Sequence, residues 1–247
     1  MKKSQPRLAE KTVQDVVRLV LEEVFALSKR RIKFSKTGMA KYISHLDLLR
    51  VFTRAVMRAG LPVKYSNGFN PHQIISFSLP LAVGVTSESE YVDIDFDESA
   101  SNEFIAERLN MSLPKDMRIL AMGNPEIAAN DICAALYSVK LFGEGISKKS
   151  LKEFFSQEDI PAVKKTKKGE KTVNLKDFIK EFNFIKEDED EAEFELCLSA
   201  GGSANIKPAI VADKIFEFCK SGEEAFCYIH RKAIYYAKEN GEVSVFK

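Results

Sequence analysis

RIKFSKTGMAKYISHLDLLRVFTRAVMRAGLPVKYSNGFNPHQIISFSLPLAVGVTSESEYVDIDFD, residues Arg31 to Asp97, carries a short alternating run, a helix with marked ends, a polar loop and two further alternating runs. Ser44 and Asp47 form the Ser-x-x-acid box of a helix start, and Gly60 with Pro62 marks its stop. Between them Leu48, Phe52, Ala55 and Ala59 recur at four-three-four spacing, widened by Leu49 and Val56, so one face is core. Arg50, Arg54 and Arg58 recur every four residues on another face. Three aligned guanidinium groups offer forked donors to phosphate or carboxylate, and a solvated helix face is the alternative reading of the same spacing.

Charge divides this stretch. From Arg31 to Gln73 eight Lys or Arg stand against one acid, Asp47, and from Ile74 to Ile105 seven acids stand against no Lys or Arg. Two polarised segments therefore hide behind a net charge of +1. Between them Tyr65-Ser-Asn-Gly-Phe-Asn-Pro-His72 joins a glycine that tolerates a left-handed backbone, a proline and several polar side chains. Phe69 in its middle is either a local hydrophobic anchor or a platform on which a base stacks.

Arg31 to Phe34, Ile74 to Leu79, Tyr91 to Phe96 and Met117 to Ala121 are predicted strands. A second helix starts at Ser99 with Phe104, Ile105 and Leu109 on one face, which gives the order βαββαβ over 31–125. A looser version follows over 135–247: a strand at Leu136 to Phe142, a helix at Lys148 to Phe155, a basic hairpin, a short helix at Asp177 to Phe182, a strand at Phe194 to Leu198, a helix at Pro208 to Cys219 and a strand at Phe226 to Tyr236. Residues 1–30 form an N-terminal extension, in which Thr12 to Asp15 caps an amphipathic helix with Val13, Val16, Val17, Val20, Leu21 and Val24 on its apolar face. The expected class is α+β, two ferredoxin-like domains in tandem with an extra N-terminal helix.

With 45% hydrophobic residues in 247, the chain can bury a sizeable core. No apolar run reaches the roughly 20 residues that span a bilayer, and the start has no signal-peptide pattern, so a cytoplasmic protein with no membrane partner is expected. Cys133, Cys197, Cys219 and Cys227 are far apart and form no C-x-x-C pair. They read as reduced, mostly buried thiols. No zinc or iron–sulfur site is expected, and no cofactor. The lysine run that includes Lys167 and Lys168 and the acidic run Glu187 to Glu191 read as solvated turns, the first also as a clamp for nucleic acid. Ser199 to Pro208 is a glycine-rich strand-to-helix turn that matches no phosphate-loop pattern.

Ile43-Ser44-His45-Leu46-Asp47, Arg58-Ala-Gly-Leu-Pro62, Gly68-Phe69-Asn70-Pro71-His72, Ser76-Phe77, Pro80-Leu81, Val83-Gly84-Val85 and Glu90-Tyr91 resemble the DUF2344 family, the radical-SAM-linked family of uncharacterised bacterial proteins. The resemblance runs from about Arg31 onward. It implies a separate radical SAM protein as a companion and assigns no reaction to the chain itself. The family usually follows Asn-Pro-His with Pro and a basic residue, whereas this chain has Gln73 and Ile74.

Charge and architecture together suggest an RNA-binding accessory protein that presents transfer or ribosomal RNA to a radical SAM enzyme. Lys41, Arg50, Arg54, Arg58, Lys64 and His72 would line a phosphate groove, Phe69 or Tyr65 would stack on a base, and Asn70, Lys167 and Lys168 would add contacts. Two alternatives remain open. One is a metal-independent endoribonuclease built on His45, Asp47, His72 and Glu90, and the other is an adaptor for the radical SAM protein alone.

Overall fold

The computed structural model describes residues 29–96, 100–166, 169–189, 191–202 and 204–247. The expected N-terminal amphipathic helix, Lys167 and Lys168 lie outside them. The fold is mixed, with a large mixed sheet and four helices among the described residues. In the first half β1 (Lys29–Lys36) leads through a 3-10 turn (Gly38–Tyr42) into α1 (His45–Ala59). Then come β2 (Ile75–Phe77), β3 (Thr86–Asp95), α2 (Asn102–Ser112) and β4 (Met117–Gly123).

The second half begins at β5 (Ile132–Phe142) and α3 (Lys148–Ser156). A separate two-stranded hairpin, β6 (Pro161–Thr166) with β7 (Gly169–Asn174), precedes β8 (Ile179–Asp188) and β9 (Glu191–Ser199). The chain closes with α4 (Pro208–Cys219), β10 (Phe226–Ala237) and β11 (Val243–Val245).

Among the described residues nine strands share one sheet in the order β4-β1-β3-β10-β5-β9-β8, with β2 on β3 and β11 on β10. Each half follows the same path. Its fourth strand lies beside its first, then its third, then its second, giving β4-β1-β3-β2 and β10-β5-β9-β8. The halves meet where β3 and β10 run parallel, pairing Thr86 with His230 and Ser87 with Arg231.

α1 forms where the sequence places it. The Ser44 hydroxyl accepts from the Asp47 backbone at 3.2 Å, and Gly60 ends the helix in the left-handed region at φ 63°. Leu48, Phe52, Ala55, Val56 and Ala59 are buried with Ile32, Phe34, Val92, Ile94 and, from α2, Ile105 and Leu109. A second cluster is built on β5, β9, β10, α3 and α4, and it also takes Leu79, Leu81, Val85 and Tyr91 from the first half. The two cores therefore interlock across the joint.

Three local expectations need correction. Asp177 to Phe182 is not helical: a 3-10 turn (Leu175–Asp177) precedes β8, whose register shifts between Ile179 and Glu181 and between Phe184 and Lys186. The first shift separates Ile179 from Phe182 by three residues and imitates a helix period. β3 starts at Thr86, well before Tyr91: its first residues bury Ser87, Ser89 and Glu90 rather than apolar side chains and so carry no apolar alternation. Phe104 is exposed while its neighbours Ile105 and Leu109 are fully buried. No helix among the described residues is long and apolar enough to cross a membrane.

Candidate nucleic-acid interface

The face of α1 opposite its core carries the three arginines, all exposed. Arg50 pairs with Asp47 at 2.7 Å, Arg58 donates to the carbonyl of Ser112 at 2.6 Å, and Arg54 has no ion-pair or hydrogen-bond partner among the described residues. Among the described residues no acid of the segment 74–105 pairs with this row. The β3 part of that segment lies against β1, where Arg31 clasps Asp93 through two bonds of 2.8 Å.

The loop that follows α1 is pinched shut at its base. Tyr65 bridges Gln73, the Ser66 amide donates to the His72 carbonyl at 2.8 Å, and the Ser66 hydroxyl meets His72 Nδ1 at 2.9 Å. Asn70 is exposed at the tip, and Phe69 has no covering at all, at 105% relative exposure. The local-anchor reading of Phe69 does not hold among the described residues. Gln73, at the position where the family pattern departs, is buried, and its Oε1 lacks a hydrogen-bond partner among the described residues. Lys64 is half-buried, and its backbone is stitched to Asp95 and Ile74.

The four residues proposed for catalysis are committed separately. Asp47 takes the Ser44 hydroxyl at 2.7 Å and the Arg50 guanidinium, and these bonds hold its carboxyl below the usual range. His72 serves its own loop. His45 meets the edge of Phe77, ring centroids 5.5 Å apart, and Phe77 lies five residues along the chain from His72, about 16 Å in an extended strand. Among the described residues no group of three His, Cys, Asp or Glu side chains could hold a metal.

Glu90 belongs to the joint. It is 2% exposed and receives Arg231 Nε at 3.0 Å, while Arg231 Nη2 also donates to the Leu79 carbonyl at 2.9 Å. Lys36, equally buried, donates to the carbonyls of Ile43 at 2.9 Å and Lys41 at 3.3 Å. Burial pulls its pKa down, and the Glu90 charge partly opposes that. Sequence reasoning missed Arg231 and Lys36, since an isolated Arg in a strand carries no local sign that its partner is 141 residues away.

Lys41 does not join the arginine row either. Its ammonium lies 5.1 Å from the Tyr42 ring and 5.5 Å from the ring of Tyr228 on β10.

The fold and these groups define a mixed α/β protein that presents cations and aromatic rings to solvent. The chain belongs to the DUF2344 family, described as uncharacterized protein conserved in bacteria, whose model matches residues 29–208. A search of curated proteins gives no match. Among solved structures the chain is similar to a chain of a Cbf5-Nop10-Gar1 complex, at 9% identity and TM-score 0.49, covering 86% of this chain and 50% of that one. It is similar also to a chain of an H/ACA RNP bound to a substrate RNA containing 2'-deoxyuridine, at 8% identity and TM-score 0.48, covering 85% of this chain and 48% of that one. An archaeal box H/ACA sRNP Nop10-Cbf5 complex gives 10% identity and TM-score 0.46, covering 85% and 49%. This chain spans about half the length of those it matches.

Proposed function

We propose that this protein is a cytoplasmic RNA-binding accessory protein that works with a separate radical SAM enzyme in modification of transfer or ribosomal RNA. The observation that carries the RNA part is the exposed row Arg50, Arg54, Arg58, in which only Arg50 pairs with an acid among the described residues. Guanidinium groups four residues apart follow one line along α1, as successive phosphates require. Phe69 and Tyr65, both exposed, supply rings for stacking at the helix's C-terminal end. The radical SAM partner rests on the family resemblance.

In this reading 31–125 and 135–247 are two ferredoxin-like domains, supported by the strand order that the halves share. The test is retention of total cellular RNA by the purified protein across a salt series, beside R50A/R54A/R58A. Binding that weakens steeply with salt, and a log-log slope smaller by about 2 in the variant, is expected for three lost contacts to single-stranded RNA. Equal binding by the two proteins would refute the groove.

A further inference from the structure

Helices α3 and α4 cover one face of the second-half sheet, and the other face is built as a grid. Register places Phe226 beside Phe142, Tyr228 beside Lys140 and His230 beside Ser138, with Glu191, Glu193 and Glu195 next along on β9. Phe142 and Phe226 stack at 4.7 Å, and Tyr228 meets both rings edge-on, at 5.7 and 5.6 Å. Phe226 remains 48% exposed, Tyr228 54% and Tyr42 57%. Rings so placed contribute little to the core.

Beside Tyr228 opens a pocket of about 110 Å³ lined by Lys41, Gly84, Thr86, Ser138, Lys140 and His230, together with Tyr228 and Ile229. Its volume is on the scale of a single flat ring. His230 is fixed at its edge, with Nδ1 2.9 Å from the Thr86 hydroxyl and Nε2 3.6 Å from Glu88. The surrounding charges cancel: Lys140 and Lys186 face Glu191 and Glu193, and Lys232 faces Glu195. Lys41 alone among the pocket's cations has no acidic partner among the described residues.

We propose that this aromatic face binds an unpaired RNA nucleobase, which enters the pocket against Tyr228 while Lys41 takes the adjoining phosphate. The inference rests on the RNA reading and deepens it by naming a single-stranded segment as the ligand. Charge decides the class. A duplex offers mainly phosphates, and a face whose lysines are matched in number by glutamates attracts them weakly. An unpaired base offers a π-face to the tyrosine and polar edges to Ser138, Thr86 and His230. The arginine row supplies the salt-dependent hold on the backbone, and this face supplies the stacking.

The test is fluorescence anisotropy with labelled oligouridylate and oligoadenylate and with a hairpin duplex of similar length, on wild type, Y228A, Y228F, K41Q and R50A/R54A/R58A. Y228A should weaken single-strand binding about tenfold or more, Y228F should keep most of it, K41Q should weaken it and flatten its salt dependence, and duplex binding should be unchanged by Y228A. Should Y228A fail to fold, the comparison of Y228F and K41Q with wild type still decides the matter. Single-strand binding that is unaffected by Y228A, or by K41Q where Y228A is unfolded, overturns the proposal, even if the arginine triple variant loses RNA and so sustains the RNA reading. Failure of wild type to bind any of these RNAs overturns both.

Discussion

At the scale of single residues the joint is the most exacting place in the molecule. Glu90 and Arg231 are both buried, and removing one partner strands the other's charge in a dry interior. E90Q is expected to destabilise the protein by about 3–5 kcal/mol in urea unfolding, and E90Q/R231M to recover part of that loss. The pair was legible only by halves. Glu90 stood out as a motif residue among polar neighbours and was read as a catalytic candidate, because a carboxylate that neutralises a distant Arg looks the same in sequence as one that accepts a proton. His230 gives a pH signature. Burial lowers its pKa from 6.5, so as pH falls below 6.5 the unfolded chain takes up a proton before the folded one. Stability conferred by the neutral ring is then full above 6.5 and declines toward the lower folded value. H230Q should remove this decline, which would be seen as wild type losing stability relative to the variant between about pH 7 and 5.

Among the elements, α1 was the most legible in the sequence, because its signals are local. Caps, a four-three-four apolar stripe and an arginine line at four-residue spacing are all set within fifteen helical residues. S44A should lower stability by about 1 kcal/mol, measured as a fall in Tm, through loss of the bond to the Asp47 amide. Substituting the three arginines should change stability little, since Arg54 has no ion-pair or hydrogen-bond partner among the described residues and the Arg50 pair is exposed. Unchanged Tm with lost RNA retention separates a binding face from a structural one. The strand β8 was not legible, because two register shifts break its alternation. The turn before α4 was read correctly as a turn, and its cause is contact: a Cβ on Gly201, at φ 99°, would overlap the carbonyl oxygen of Ile132. G201A should therefore destabilise the second half, whether or not any anion binds there.

Across the whole molecule the halves are one sheet with two interlocked cores. The C-terminal segment completes the closure: Phe246 is fully buried, its ring meets Tyr91 at 5.1 Å, its carbonyl accepts the Tyr91 hydroxyl at 2.6 Å, and Arg31 lies over it at 4.4 Å. F246A should cost about 3–5 kcal/mol, and it should turn a single cooperative unfolding transition into two as the halves lose their common wedge. Coincident circular dichroism and fluorescence transitions in the variant would contradict that role.

The sequence by itself determined the mixed class, the βαββαβ order of elements in the first half, the ends of α1 and α4, the arginine row and the exposed glycine-containing loop. Each depends on residues a few positions apart, whose spacing matches a helix or strand period. Only the tertiary structure decided that β3 and β10 join the halves, that Glu90 answers Arg231, that Phe246 packs on Tyr91, and that Lys41 leaves the arginines for Tyr228. Those contacts bring together residues more than 140 positions apart. Side-chain periodicity fixes which face a residue occupies, whereas the partner on that face is chosen by sheet order, and sheet order is set only when the cores close.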